Sequence, residues 1–242
     1  MADFNNSYQQ YRGMTIHDTN AITISFINRV YGWMCGGLLL TALGAYAVIA
    51  SPDLQRIVFK TPGVFLLLII LTFGLVIGLS WGINKMNATM AAIAFVVYSL
   101  VNGLTLSVLF YAYTKESLSW TFLITAGTFG AMSLYGYITK KDLTTIGNLC
   151  MMALIGIIIA SVVNIFLQSS AMMWMVSYLG VLIFMGLTAY DTQKIKAMSV
   201  SMDASNDVER IRKYAILGAL TLYLDFINLF ILLLRIFGGR RD

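Results

Sequence analysis

Residues Ala219-Leu-Thr-Leu-Tyr-Leu-Asp-Phe-Ile-Asn-Leu-Phe-Ile-Leu-Leu-Leu234 contain a single charged side chain, Asp225. The apolar run is typical of a membrane-spanning helix, which needs about 20 mainly apolar residues. A carboxylate that faced lipid would cost at least a few kcal/mol, so we expect Asp225 to face protein or a water-filled cavity. A second acid, Asp191, ends the charge-free stretch from Leu143 to Tyr190. These two acids are therefore the best indication of function.

The composition excludes a soluble globular protein and favours an all-α membrane bundle. The chain has 242 residues, of which 59% are hydrophobic and 11% charged, and its mean hydropathy is +0.79. Segments of alternating apolar and polar residues, typical of a membrane β-barrel, are absent from the sequence. The net charge of +5 lies mainly at segment ends, which indicates contact with anionic lipid headgroups and not with nucleic acid.

The apolar runs predict seven transmembrane helices after a polar tail. We place the tail at residues 1–28 and the transmembrane domain at 29–242. The first apolar run is too long for the core of a signal peptide and is interpreted as the first span. The predicted spans are approximately 30–50, 64–83, 88–113, 119–138, 145–167, 172–191 and 214–237.

The lysine and arginine distribution predicts a cytoplasmic N-terminus. With that orientation the cytoplasmic segments hold ten basic residues and the outer segments hold six. The loop 192–213 alone supplies five of the ten, and we expect its core, Met198 to Val208, to be a solvated loop. Seven spans place the basic C-terminus outside, against the charge rule. A re-entrant last segment would remove this conflict, so that alternative stays open.

The residues around the two acids predict an ion or proton site. Thr221, Asp225 and Asn228 share one face of the last helix because their spacings are three and four residues. Tyr190 precedes Asp191 in the sixth span. Two neighbouring carboxyl groups in a low dielectric cannot both ionise cheaply, so they titrate as a pair. Such a pair can hold a proton or exchange it for a hard cation such as calcium.

The depth of the two acids raises a geometric question. Asp225 lies about 15 Å along a last span that begins near Ala215, at 1.5 Å per residue. Asp191 lies near the cytoplasmic rim of the sixth span. The two meet if the sixth helix continues to about Ile195, with Lys194 and Lys196 reaching back to the interface, or if that helix tilts strongly.

Two C-terminal motifs resemble signatures of the Bax inhibitor-1 family. They are Ala189-Tyr-Asp-Thr-Gln-Lys-Ile-Lys196 and Leu222-Tyr-Leu-Asp-Phe-Ile-Asn-Leu-Phe230, the latter followed by Leu233-Leu-Arg-Ile-Phe-Gly238. Val30-Tyr-Gly-Trp-Met34 is similar to the first span of bacterial members. The resemblance implies that six helices surround a central seventh helix. It also implies that Asp191 and Asp225 form the ion site, and that the activity is calcium leak or protection from stress and cell death.

One position departs from the family pattern. Some bacterial relatives carry an acid in the second span and an arginine near its cytoplasmic end that latches the paired acids. Here Val64 to Ile83 is uncharged, and the nearest base is Lys85. We take Lys85 as a supporting residue, although a lysine lacks the bidentate fork of arginine.

The favoured function is a pH-sensitive calcium leak through a bacterial inner membrane. Its partners would be the lipid bilayer, calcium ions and protons, with calcium as the bound or transported ion and no other cofactor. A non-transporting regulator of a membrane protease or of a stress or death response stays open, with a membrane-protein partner. An intramembrane aspartyl protease is the remote alternative. The Gly-x-Gly-Asp and Pro-Ala-Leu motifs of those enzymes are missing, and we expect the protein not to be an enzyme.

Overall fold

The computed structural model describes residues 16–203 and 207–239, with side chains described for 23–199 and 207–239. The described residues form an all-α fold without β-strands. Most of the tail predicted at residues 1–28 lies outside the described part, but α1 begins at Ile16, within that tail. The long helices are α1 (Ile16–Ala50), α2 (Val64–Gly82), α3 (Ala88–Leu106), α4 (Lys115–Ile138), α5 (Thr144–Leu167), α6 (Ser170–Asp203) and α7 (Val208–Phe237).

Short helical segments connect some of the long helices. Pro52–Gln55 and a π-helical turn, Arg56–Lys60, lie between α1 and α2, and Leu109–Ala112 lies between α3 and α4. The N-termini of α3 and α4 are capped by side-chain oxygens, which satisfy backbone amides that lack a partner within the helix. Asn87 accepts from the Met90 amide at 2.7 Å, and Thr114 accepts from the Ser117 amide at 3.2 Å.

Six of the long helices in the described part are long and apolar enough to cross a membrane. The all-α prediction is therefore confirmed, and six of the seven predicted spans correspond to candidate membrane spans. The exception is the predicted span 119–138, which forms the 24-residue helix α4 but is not among the six. Polar residues such as Thr121, Thr125 and Ser133 lie buried along α4, and such residues lower its mean hydropathy.

The predicted loop 192–213 is largely wrong, because two helices occupy most of it. Helix α6 continues to Asp203, and α7 begins at Val208. Asp207 caps α7 by accepting hydrogen bonds from the Glu209 and Arg210 amides, each at 3.0 Å. Hydropathy detects only the apolar part of a helix. It therefore does not predict polar helical turns that extend beyond a membrane segment, such as the end of α6 and the start of α7.

Helix α7 is the most buried of the candidate spans. Buried residues make up 61% of its most apolar window, compared with 6% in α2 and none in α5. It packs against α1, α3, α4 and α6. The helix is continuous over 30 residues, without the break at which a re-entrant segment would turn back. Its burial explains how a chain this apolar can keep a carboxylate away from lipid.

A buried hydrogen-bond cluster fixes one face of α7 against α1 and α3. The Tyr223 hydroxyl lies 2.6 Å from Thr41 Oγ1 and accepts a hydrogen bond from Asn102 Nδ2 at 2.7 Å. Thr41 Oγ1 also lies 2.9 Å from the backbone oxygens of Gly37 and Ser99. A Cβ at Gly103 would collide with the Thr41 backbone. The close approach of α1 and α3 therefore requires glycine at position 103 and builds a rigid support behind α7.

Candidate ion site in the bundle

The polar residues of α7 lie on the face opposite the Tyr223 cluster. Asp225 is buried, with only 4% of its surface exposed. Thr221 and Asn228, one turn to either side, bond to their own helix. Thr221 Oγ1 donates to the Leu217 carbonyl at 3.1 Å, and Asn228 Nδ2 donates to the Leu224 carbonyl at 2.8 Å. The predicted polar strip of Thr221, Asp225 and Asn228 therefore exists, and Asp225 is its one charged member.

Asp191 of α6 lies beside Asp225. Their side chains interact and line the same cavity. The structure therefore brings the two predicted acids together. It does so along the expected route, because α6 continues past Ile195 to Asp203. The second oxygen of Asp225, Oδ2, is buried and has no hydrogen-bond partner among the described residues. A buried unpaired oxygen is costly when the carboxyl group is ionised, so a proton or a cation bound there would stabilise it.

Two glycines allow neighbouring helices to approach α6 just before Asp191. A Cβ at Gly136 of α4 would collide with the Ala189 carbonyl, and a Cβ at Gly147 of α5 would overlap the Tyr190 ring. Glycine at these positions lets both helices reach van der Waals contact with α6. The position of Asp191 is therefore set by backbone packing on two sides.

Residues after Asp191 anchor α6 to three other parts of the bundle. Gln193 accepts from the Leu143 amide at 2.9 Å and donates to the Lys141 carbonyl at 2.8 Å. Lys196 Nζ donates to the Tyr137 carbonyl at 2.7 Å and lies 4.6 Å from the centre of the Tyr137 ring. The Thr192 hydroxyl lies 3.4 Å from that of Tyr31 in α1. The motif around Asp191 thus positions the acid as well as supplying it.

A cavity of about 750 Å³ adjoins the acids between α2, α5, α6 and α7. Tyr190, Asp191, Thr221, Asp225 and Asn228 all line it, so five of the six predicted site residues come together. The remaining lining residues are mainly apolar: Phe73, Val76, Asn148, Met151, Leu154, Ile157, Ile158, Ser161, Val176, Phe184, Leu187, Lys194, Leu224, Ile231, Leu232 and Arg235.

The sixth predicted residue, Lys85, is not at the site. It lies exposed in the turn that follows α2 and does not line the cavity. The cavity-lining cations are instead Lys194 and Arg235. Lys194 is one turn beyond Asp191, and Arg235 is two turns beyond Asn228, so helical periodicity could have identified both. Lys194 also lies 5.9 Å from the centre of the Tyr190 ring.

The site offers fewer protein ligands than a resident metal centre needs. Within the described residues, no group of three or more His, Cys, Asp or Glu side chains could hold a metal ion. Calcium takes six to eight oxygen ligands, whereas this site offers two carboxyl groups with nearby hydroxyl and amide oxygens. A calcium ion held here would therefore keep part of its water shell.

Comparison with known proteins identifies the family. The sequence profile described as "Inhibitor of apoptosis-promoting Bax1" matches residues 23–242. The chain belongs to this family. It is 55% identical over 218 residues to "Inner membrane protein YbhL" of Escherichia coli K12, covering 90% of this chain and 92% of that protein. The resemblance inferred from the C-terminal motifs is therefore confirmed, and the chain is a membrane protein of the Bax inhibitor family.

Other bacterial members have similar lengths. The chain is 46% identical over 217 residues to an uncharacterized protein of Borreliella burgdorferi, covering 90% of this chain and 93% of the relative. It is 44% identical over 217 residues to an uncharacterized protein of Rickettsia prowazekii, covering 90% of each. The match to each of these bacterial proteins thus extends over about nine-tenths of the chain.

Proposed function

We propose that the protein is a pH-sensitive calcium leak pathway of a bacterial inner membrane, with Asp191 and Asp225 as its ion site. The observation that carries this proposal is the buried, unpartnered Oδ2 of Asp225 beside a second carboxyl group. An intramembrane acid of this kind marks an ion or proton path by default. The similarity to an inner membrane protein of Escherichia coli supports this location.

The proposed topology has seven spans, with α7 at the centre and the N-terminus in the cytoplasm. The Thr114 amide donates to the Gly239 carbonyl at 3.2 Å, which brings the end of α7 beside the start of α4. At the other end of α4, Tyr137 accepts from Lys196 of α6. Helix α4 therefore runs between the same two ends of the bundle as α6 and α7, which supports its role as a span. The ten-to-six excess of basic residues supports the orientation.

Cysteine labelling tests this topology. In a variant lacking Cys35 and Cys150, Glu116→Cys should react with an impermeant maleimide added outside intact cells. Asn84→Cys, at the opposite end of the bundle, should react only after permeabilisation. Both positions are exposed, so a difference in labelling reports the side of the membrane. Labelling of Asn84→Cys in intact cells would reverse the orientation.

The pH sensitivity follows from competition for the same oxygens. A proton shared by the two carboxyl groups excludes calcium, so calcium binding should increase as the pH rises and the pair loses that proton. The other titratable or charged groups that line the cavity are Tyr190, Lys194 and Arg235. The lining residues contributed by α2 and α5 are uncharged. The carboxyl pair is therefore the principal proton-binding group facing the cavity.

Calcium flux into liposomes containing only this protein is the direct test. We expect flux that depends on pH between about 5 and 8, and an Asp225→Asn variant with at least about tenfold less flux. Binding of calcium should be measured in parallel, because protonation could change conductance and affinity differently. Absence of flux from folded, reconstituted protein would exclude the leak and favour a non-transporting regulator.

A further inference from the structure

The cavity beside the acids is larger and more apolar than an inorganic ion requires. Its volume of about 750 Å³ lies within the range of about 300–1,000 Å³ typical of sites for small organic molecules. Its walls include aromatic and aliphatic side chains such as Phe184 and Leu187. We propose that this cavity is a binding site for lipophilic organic cations, which would pair with Asp191 and Asp225 while their apolar groups contact the walls.

The cavity opens toward the lipid-facing surface between α2 and α5. These helices are the least buried of the candidate spans, and they pack mainly against different partners, α2 on α3 and α5 on α6. Six lining residues are also exposed and mark the mouth. Three are apolar, namely Phe73 at 65%, Met151 at 48% and Ile158 at 54%, and three are polar, namely Asn148, Ser161 and Lys194. A lipophilic cation dissolved in the membrane can therefore enter along the apolar part of this mouth, past Phe73, Met151 and Ile158.

The distribution of charge favours a cation at the centre of the cavity. Asp225 is 4% exposed, and its Oδ2 atom has no partner among the described residues. Lys194 lies one turn beyond Asp191, and Arg235 lies about 15 Å from Asp225 along α7. The two basic side chains are thus toward the ends of the cavity, while the acids are between them. A lipophilic cation balances the negative charge of the carboxyl pair while its apolar groups contact the walls, whereas a hydrated inorganic ion leaves the apolar walls without a partner.

The test uses tetraphenylphosphonium binding to the whole protein in nanodiscs of zwitterionic lipid. We expect saturable binding to the wild type and affinity at least about tenfold lower for Asp225→Asn. Tetraphenylborate, which has a similar size and the opposite charge, should show no saturable binding. Because Asp225→Asn could prevent folding, a second pair of variants addresses the mouth. Ile158→Trp should weaken binding by narrowing the mouth, whereas its exposed neighbour Ile159, which does not line the cavity, should tolerate Ile159→Trp.

Two outcomes would overturn this inference. One is the absence of saturable phosphonium binding to folded wild type, and the other is binding that neither Asp225→Asn nor Ile158→Trp reduces. The inference rests on the same carboxyl pair as the proposed calcium leak, but the two fail separately. Calcium flux without phosphonium binding would overturn only the cation site. Phosphonium binding without calcium flux would support the cation site and exclude the leak.

Discussion

The two faces of α7 differ in how their polar groups are satisfied. On one face, the Tyr223 hydroxyl contacts Thr41 and Asn102 in a closely packed cluster. On the other face, two residues further along the helix, Asp225 has an unpaired oxygen beside Asp191 and a large cavity. The first arrangement is typical of structural support, because every group has a partner. The second is typical of a functional site, where an unsatisfied group awaits a ligand.

This contrast explains why a buried acid can be kept in an otherwise apolar helix. The Tyr223 cluster ties α7 to α1 and α3, and the glycines at positions 136 and 147 bring α4 and α5 close to α6. The Tyr223 cluster therefore fixes the helix that carries Asp225, and the two glycine contacts fix the helix that carries Asp191. Neither support needs a hydrogen bond to Asp225 Oδ2. One face of the helix thus supplies stabilising contacts, and the other carries the acids of the proposed ion site.

The largest expected effect concerns the carboxyl pair. If Asp191 and Asp225 bind one ion together, either Asp→Asn change should remove most of the calcium flux. The double variant should then be little worse than either single variant, since contacting residues that act as a unit are non-additive. Flux measurements on all four proteins at one pH give the coupling. If the loss of flux in the double variant equals the product of the losses in the two single variants, the acids act in separate environments.

The next effect should appear on the Tyr223 face as a loss of stability. Tyr223→Phe leaves the buried Asn102 amide without its partner and should lower the free energy of unfolding by about 1–2 kcal/mol. Thr221→Val is the matched control, because the Thr221 hydroxyl bonds only to the Leu217 carbonyl of its own helix. Its effect should stay within about 0.5 kcal/mol.

Thermal unfolding in detergent compares the two variants, and flux is normalised to folded protein. Tyr223→Phe should retain flux if its role is support. A specific loss of flux without destabilisation would instead place Tyr223 in the ion path and remove the distinction between the two faces.

The smallest expected effect separates Lys194 from Lys85. At a pH where both acids are ionised, Lys194→Gln removes a cation near Asp191 and should increase calcium affinity by about two- to fivefold. Lys85→Gln removes the same charge from an exposed turn outside the cavity and should leave affinity unchanged. Calcium titrations at constant ionic strength measure both. An equal response in the two variants would indicate a general surface-charge effect.

The candidate site shows where interpretation of the sequence succeeded. The three- and four-residue spacing of Thr221, Asp225 and Asn228 correctly predicted one polar face, because helical periodicity is a local property. Lys85, the predicted supporting base, lies outside the cavity in an exposed turn, because distance along the chain does not report distance in space. Lys194 and Arg235 lie on the same helix faces as the acids, by the same periodicity. The sequence does not show which face lines the cavity, so it did not identify these two residues as part of the site.

The sequence by itself determined the all-α membrane character, the family and the two acids as intramembrane groups. Hydropathy and the cost of burying charge are properties of short segments, so they can be read directly from the chain. Only the tertiary structure decided that Asp191 meets Asp225, that Tyr223 turns toward α1 and α3, and that α2 and α5 leave a cavity between them. These features depend on how helices distant in sequence pack, and glycine contacts such as Gly136 with Ala189 and Gly147 with Tyr190 become visible only when the helices are assembled.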